Sequence, residues 1–62
     1  MDMQRFMKMN SIMALSWINT KLRDEFSSLE SLCEELDFEL DKIKEKFMAI
    51  NYEYSSERNQ FI

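Results

Sequence analysis

The 62-residue chain contains no glycine, no proline and no histidine, and it has one cysteine, Cys33. Without glycine it lacks the residue that enters left-handed backbone conformations at no steric cost. Without proline it lacks the residue that fixes a sharp stop. Both absences disfavour β-hairpins and tight interhelical turns, and they favour an uninterrupted helix. The missing histidines and the single cysteine remove zinc sites and intramolecular disulfides as staples. A lone thiol also fits a reducing compartment. A monomer of this length buries only about 60% of its unfolded surface, so oligomerisation is the expected route to stability.

Positive charge is scarce as well. Twelve acids stand against eight bases, for a formal net charge of −4. That is a poor footprint for nucleic acid or an anionic membrane. No apolar run approaches the roughly 20 residues of a membrane-spanning helix. The N-terminus lacks the basic-then-apolar order of a signal peptide. An intracellular location follows by default. The start at Met1 and the abrupt end at Ile62 read as the N-terminal piece of a longer protein.

Catalytic and cofactor chemistry finds no footing. Cys33 has no histidine to activate it and sits among acids that disfavour a thiolate, so it reads as a small core residue. A bundle di-metal site needs Glu-x-x-His elements, and a phosphate loop needs glycine. The expectation is a non-enzymatic chain with no metal and no cofactor.

What the chain does have is a long apolar repeat. Ile12, Leu15, Asn19, Leu22, Phe26, Leu29, Cys33, Leu36, Leu40, Ile43, Phe47, Ile50 and Tyr54 recur at alternating steps of three and four. A seven-residue repeat held this long predicts an all-α fold, with one long helix in a coiled coil over residues 12–54. Such a rod would be about 65 Å long at roughly 1.5 Å per residue. Leucine at successive d positions, with Asn19 at an a position, favours a parallel dimer in which the asparagine amides pair across the axis. Leu40 followed by Ile43 pulls toward higher order. A helical hairpin turning at Ser27-Ser28 is the competing arrangement, with Ser27 and Glu30 offering a capping box. The heptad phase nevertheless runs through these serines without the skip a turn normally brings.

Residues 1–18 carry a second apolar stripe: Met3, Phe6, Met7, Met13, Ala14, Trp17 and Ile18. It lies away from the seam, and exposed patches of this kind usually mark an interface. The expectation is that two parallel dimers interlock through it to give a tetramer. A groove on a different partner protein is the alternative occupant. A membrane-surface helix finds only Arg5 and Lys8 as its basic face, bracketed by Asp2 and Asp24. Between Asp24 and Asp41 eight acids stand with no base (Asp24, Glu25, Glu30, Glu34, Glu35, Asp37, Glu39 and Asp41), which reads as a solvated face or a strip for a basic partner. Residues 55–62 break the repeat and are expected to fray.

An N-terminal helix feeding a parallel coiled coil, with a separate interlocking apolar end, resembles the tetramerisation domain of the CtIP family of DNA-end-resection cofactors. The resemblance is architectural. It rests on Met3 to Trp17 as the second interface and Ile12 to Tyr54 as the seam. It implies a homo-oligomerisation module of a larger nuclear scaffold, with no direct nucleic-acid contact by this segment. The competing reading is a helical adaptor segment that binds a different subunit of a heteromeric complex.

Overall fold

A computed structural model describes residues 1–62, and it overturns the coiled coil. The chain folds on itself into four short helices and a two-stranded antiparallel ribbon, in the order α1 (Met3–Lys8), α2 (Ser11–Asp24), α3 (Leu29–Leu36), α4 (Leu40–Met48), β1 (Tyr54–Ser55) and β2 (Gln60–Phe61). Its extents are 25 × 24 × 18 Å, far short of the expected rod.

Local chemistry explains each break. Asp2 caps α1 by accepting from the Arg5 N–H, and Asn10 caps α2 by accepting from the N–H groups of Ile12 and Met13. Asparagine and aspartate are strong N-caps because their side-chain oxygens satisfy the free amides of the first turn. The Ser27-Ser28 region is indeed a turn, but the cap of α3 is Ser28, whose Oγ accepts from the Ser31 N–H at 3.0 Å. Ser27 and Glu30 do not form the capping box of the competing hairpin arrangement. Nothing in the heptad pattern signalled this turn, because the serines add no skip in phase.

The missing glycines are replaced by Asp37, Asn51 and Asn59, whose φ angles are 58°, 66° and 53°. Asp and Asn are the non-glycine residues that tolerate this region best, since their short polar side chains bond locally. Asp37 ends α3: the N–H groups of Asp37 and Phe38 both donate to the Cys33 carbonyl. Asn51 ends the turn after α4, with Tyr52 N–H donating to the Phe47 carbonyl at 2.9 Å and Asn51 N–H to the Met48 carbonyl at 2.9 Å. The pair at Asn51 is a Schellman closure, whereas at Asp37 both bonds converge on one carbonyl, as in an αL closure. The rule that no glycine means no turn fails here for that reason.

The core gathers residues from both predicted stripes. Leu15, Leu22, Leu29, Cys33, Ile43 and Phe47 of the seam are buried together with Phe6, Ala14 and Ile18 of the N-terminal stripe. Phe26, Leu36, Leu40, Ile50 and Tyr54 pack against them, as do Met3 and Trp17. What read as two interfaces between chains is therefore one core within a chain. Leu32 and Phe38, which lie off the heptad register, and Phe61, one heptad beyond Tyr54, complete it. Aromatic rings run through this core in sequence: Trp17 and Phe38 at 6.3 Å, Phe38 and Phe6 at 5.3 Å, Phe6 and Phe47 at 6.0 Å, Phe47 and Phe61 at 4.7 Å, Phe61 and Tyr54 at 5.6 Å. Offset and tilted rings at these separations add to the burial they bring.

The expected frayed tail is a β-hairpin. Tyr54 stands opposite Phe61 and Ser55 opposite Gln60, and Glu53 and Ile62 exchange two backbone hydrogen bonds at 2.9 and 3.0 Å. Side-chain hydrogen bonds fasten it to the helices. Asn19 bonds the Phe61 backbone, and Asn59 Nδ2 donates to the carbonyls of Leu22 and Phe26 at 2.9 and 2.8 Å. At the other end, Lys46 Nζ donates to the carbonyls of Met7 and Met9, closing the short α1 from a distant helix.

Candidate functional site

Helices α3 and α4 are joined by three residues, Asp37-Phe38-Glu39, and are followed by the hairpin. Two helices around a short turn are the layout of a helix-turn-helix unit. Phe38 is the pivot. It is 6% exposed and lies on Phe6 and Trp17, so the turn is anchored to α1 and α2.

The outer side of this unit is acidic. Glu30, Glu34 and Glu35 on α3 are exposed, as are Asp37 and Glu39 in the turn. Of these only Glu39 has an ion-pair partner, Lys42 at 3.6 Å. Exposed α4 positions carry both signs: Asp41 and Glu45 against Lys42 and Lys44. An open depression of about 600 Å³ sits at the corner, lined by Glu30, Glu34 and Asp37 around Cys33, Phe38 and Leu40. Burial pushes the Cys33 thiol above its ordinary value, an effect only partly offset by the positive charge of Lys44. Burial of this kind favours the neutral thiol, and Cys33 packs in the core.

A second concavity of about 220 Å³ lies between α4 and the hairpin, lined by Lys44, Met48, Tyr52, Glu53, Tyr54 and Phe61. It mixes an apolar floor with one charge of each sign.

Elsewhere, Ile12 and Met13 at the start of α2 are 62% and 65% exposed, and Met7 on α1 is 36% exposed. Of the predicted interface residues these three alone remain large apolar side chains facing outward. Asn19 does not pair with another asparagine. It holds β2. The only strong surface ion pair beyond Lys21–Glu25 is Arg23–Asp24, where the Arg23 guanidinium bonds the Asp24 carboxylate and holds it below the usual carboxylate range.

No group of three or more His, Cys, Asp or Glu side chains is placed to hold a metal ion. No helix is long and apolar enough to cross a membrane. Sequence reasoning missed the roles of Phe38, Asn59 and Gln60. The spacing Leu29, Leu32, Cys33, Leu36 is a clean one-face pattern for an eight-residue helix, and it was the signal for an independent α3.

A family model described as Domain of unknown function (DUF4250) matches residues 8–61. No curated protein and no solved structure matches.

Proposed function

The chain belongs to the DUF4250 family, and from its surface we propose that it is a non-catalytic protein-binding module whose acidic helix-turn-helix corner receives a basic partner. The observation that supports this reading is the sign of the charge on that corner. In a DNA-reading helix-turn-helix the first helix crosses the phosphate backbone and the second enters the major groove. Here the corresponding first helix presents Glu30, Glu34 and Glu35, and the second presents as many exposed acids as bases. Phosphates need lysine and arginine to displace their counterions, and α3 has none. A basic protein segment meets the opposite condition. Its lysine or arginine stems lie on the apolar Cys33, Phe38 and Leu40 floor while their charges face Glu30, Glu34 and Asp37.

This keeps the adaptor reading of the sequence and drops the coiled-coil seam, most of whose residues are consumed by the chain's own core. The likeness to the CtIP domain rested on that seam and on the N-terminal stripe, so it carries no part of the proposal.

A photo-crosslinking residue at position 34, read out in the source cells, tests it. The expected result is a discrete protein adduct that disappears when Glu30 and Asp37 are both replaced by lysine. The same protein titrated with labelled duplex DNA at about 50 mM salt is expected not to bind. DNA binding in that titration, or an adduct indifferent to the charge reversal, overturns the reading.

A further inference from the structure

The two edges of the hairpin are not equivalent. Tyr54 and Phe61 form a pair whose backbone groups point away from each other, outward from the ribbon. On the β2 side the outward groups are occupied: Asn19 Oδ1 accepts from the Phe61 N–H at 2.8 Å and Asn19 Nδ2 donates to the Phe61 carbonyl at 3.1 Å. On the β1 side the Tyr54 N–H and carbonyl have no hydrogen-bond partner in the chain. An open edge of this kind is a template for another strand.

The open edge lies beside the groove between α4 and the hairpin. Met48 in that groove is 59% exposed, and its charged rim consists of Lys44 and Glu53, neither of which has an ion-pair partner within the chain. A rim with one charge of each sign is self-complementary under a twofold axis, because the rotation lets Lys44 of each copy meet Glu53 of the other.

We propose that the β1 edge is a homodimer contact. Two copies pair antiparallel through Tyr54, extending the ribbon to four strands, with Met48 covered and two Lys44–Glu53 pairs at the rim. Each Tyr54 supplies one N–H and one carbonyl to its mate. The assembly closes at two copies because Asn19 already occupies the far edge on both sides. A chain of 62 residues, marginal alone, gains apolar burial from this contact. The contact is separate from the acidic corner of α3, so either proposal can fail without the other.

Sedimentation equilibrium of the full chain, with amide exchange across a concentration series, tests the contact. The expected result is a dimer, with exchange at the Tyr54 N–H slowing as concentration rises. Lys44→Glu and Glu53→Lys are each expected to weaken dimerisation by about tenfold, since each turns two attractive pairs repulsive. The double variant Lys44→Glu/Glu53→Lys restores the pairs with signs exchanged and is expected to return to near the original affinity. Both positions are exposed, so the fold is unaffected. A monomer at every concentration overturns the proposal. So does a dimer in which Tyr54 exchange is independent of concentration, or a double variant no better than the single ones.

Discussion

Asn19 and Phe61 are joined like two residues of neighbouring strands: the asparagine side-chain amide both accepts from and donates to the Phe61 backbone, at 2.8 and 3.1 Å. Asn19 is a helical residue, and its side chain reproduces the donor and acceptor of a β-ladder at the edge of β2. Gln60 adds a return bond, its Nε2 donating to the Asn19 carbonyl at 2.8 Å. The hairpin is thus held to α2 by directed bonds as well as by the burial of Phe61.

Replacing Asn19 by alanine removes both bonds and leaves the Phe61 N–H and carbonyl short of partners. The expected loss is about 2–3 kcal/mol of unfolding free energy, since each abandoned buried group costs about 1–3 kcal/mol. Asn19→Asp should be at least as damaging, because it sets a carboxylate oxygen against the Phe61 carbonyl. Urea denaturation measures both. An alanine variant within about 0.5 kcal/mol of the parent would show that the bonds carry little of the hairpin's attachment.

Asn59 does two things at once, and substitutions separate them. It occupies a left-handed conformation, and its Nδ2 closes the C-terminal end of α2 through the carbonyls of Leu22 and Phe26. Asn59→Gly keeps the backbone preference and loses the bonds. Asn59→Ala loses both, and should be less stable than the glycine variant by about 1 kcal/mol. Tyr54→Phe removes the hydroxyl that donates to Asn59 Oδ1 at 2.6 Å and accepts from the Leu29 N–H, for about 1–2 kcal/mol. Thermal melts of the three variants check the order; equal midpoints for glycine and alanine would remove the backbone argument.

Cys33 gives a pH dependence with a definite sign. Its folded-state thiol is raised by burial above the unfolded value of about 8.5. Below that pH the thiol is neutral in both states and its contribution is fully present. Above it the unfolded chain ionises first, so stability is lost as pH rises toward the folded value. The urea midpoint in reductant should therefore fall between pH 8 and 10 more steeply for the parent than for Cys33→Ala. Parallel slopes for the two proteins contradict the assignment.

Leu29 and Met13 were both expected to hold separate chains together, and the fold assigns them opposite fates. Leu29 is 1% exposed in the core, so Leu29→Glu buries an unpaired carboxylate and should unfold the chain instead of dissociating an oligomer. Met13 is 65% exposed, so Met13→Glu should leave the stability within about 0.5 kcal/mol. Circular dichroism of both variants distinguishes these outcomes. A folded Leu29→Glu monomer would contradict the single-chain core.

Much of the burial was legible from the apolar pattern, because residues such as Leu22, Leu29, Ile43 and Phe47 have no other way to leave water. Ile12, at the head of the same series, is 62% exposed and shows the limit of that inference. Periodicity identifies a face and is silent on what covers it. A heptad phase that runs unbroken through Ser27-Ser28 and Asp37-Phe38-Glu39 fits one rod or three packed helices equally well.

By itself, then, the sequence determined many of the side chains that would seek a core and that the surface would be acidic. Tertiary structure alone decided that the core would be covered by the same chain. Asp37, Asn51 and Asn59 adopt left-handed backbone that costs a non-glycine residue about 1–2 kcal/mol. That cost is offset only after the chain has turned back, when backbone bonds close the ends of α3 and α4 and Asn59 reaches the carbonyls of Leu22 and Phe26. The turns and the contacts that stabilise them arise together, over sequence separations that no local pattern records.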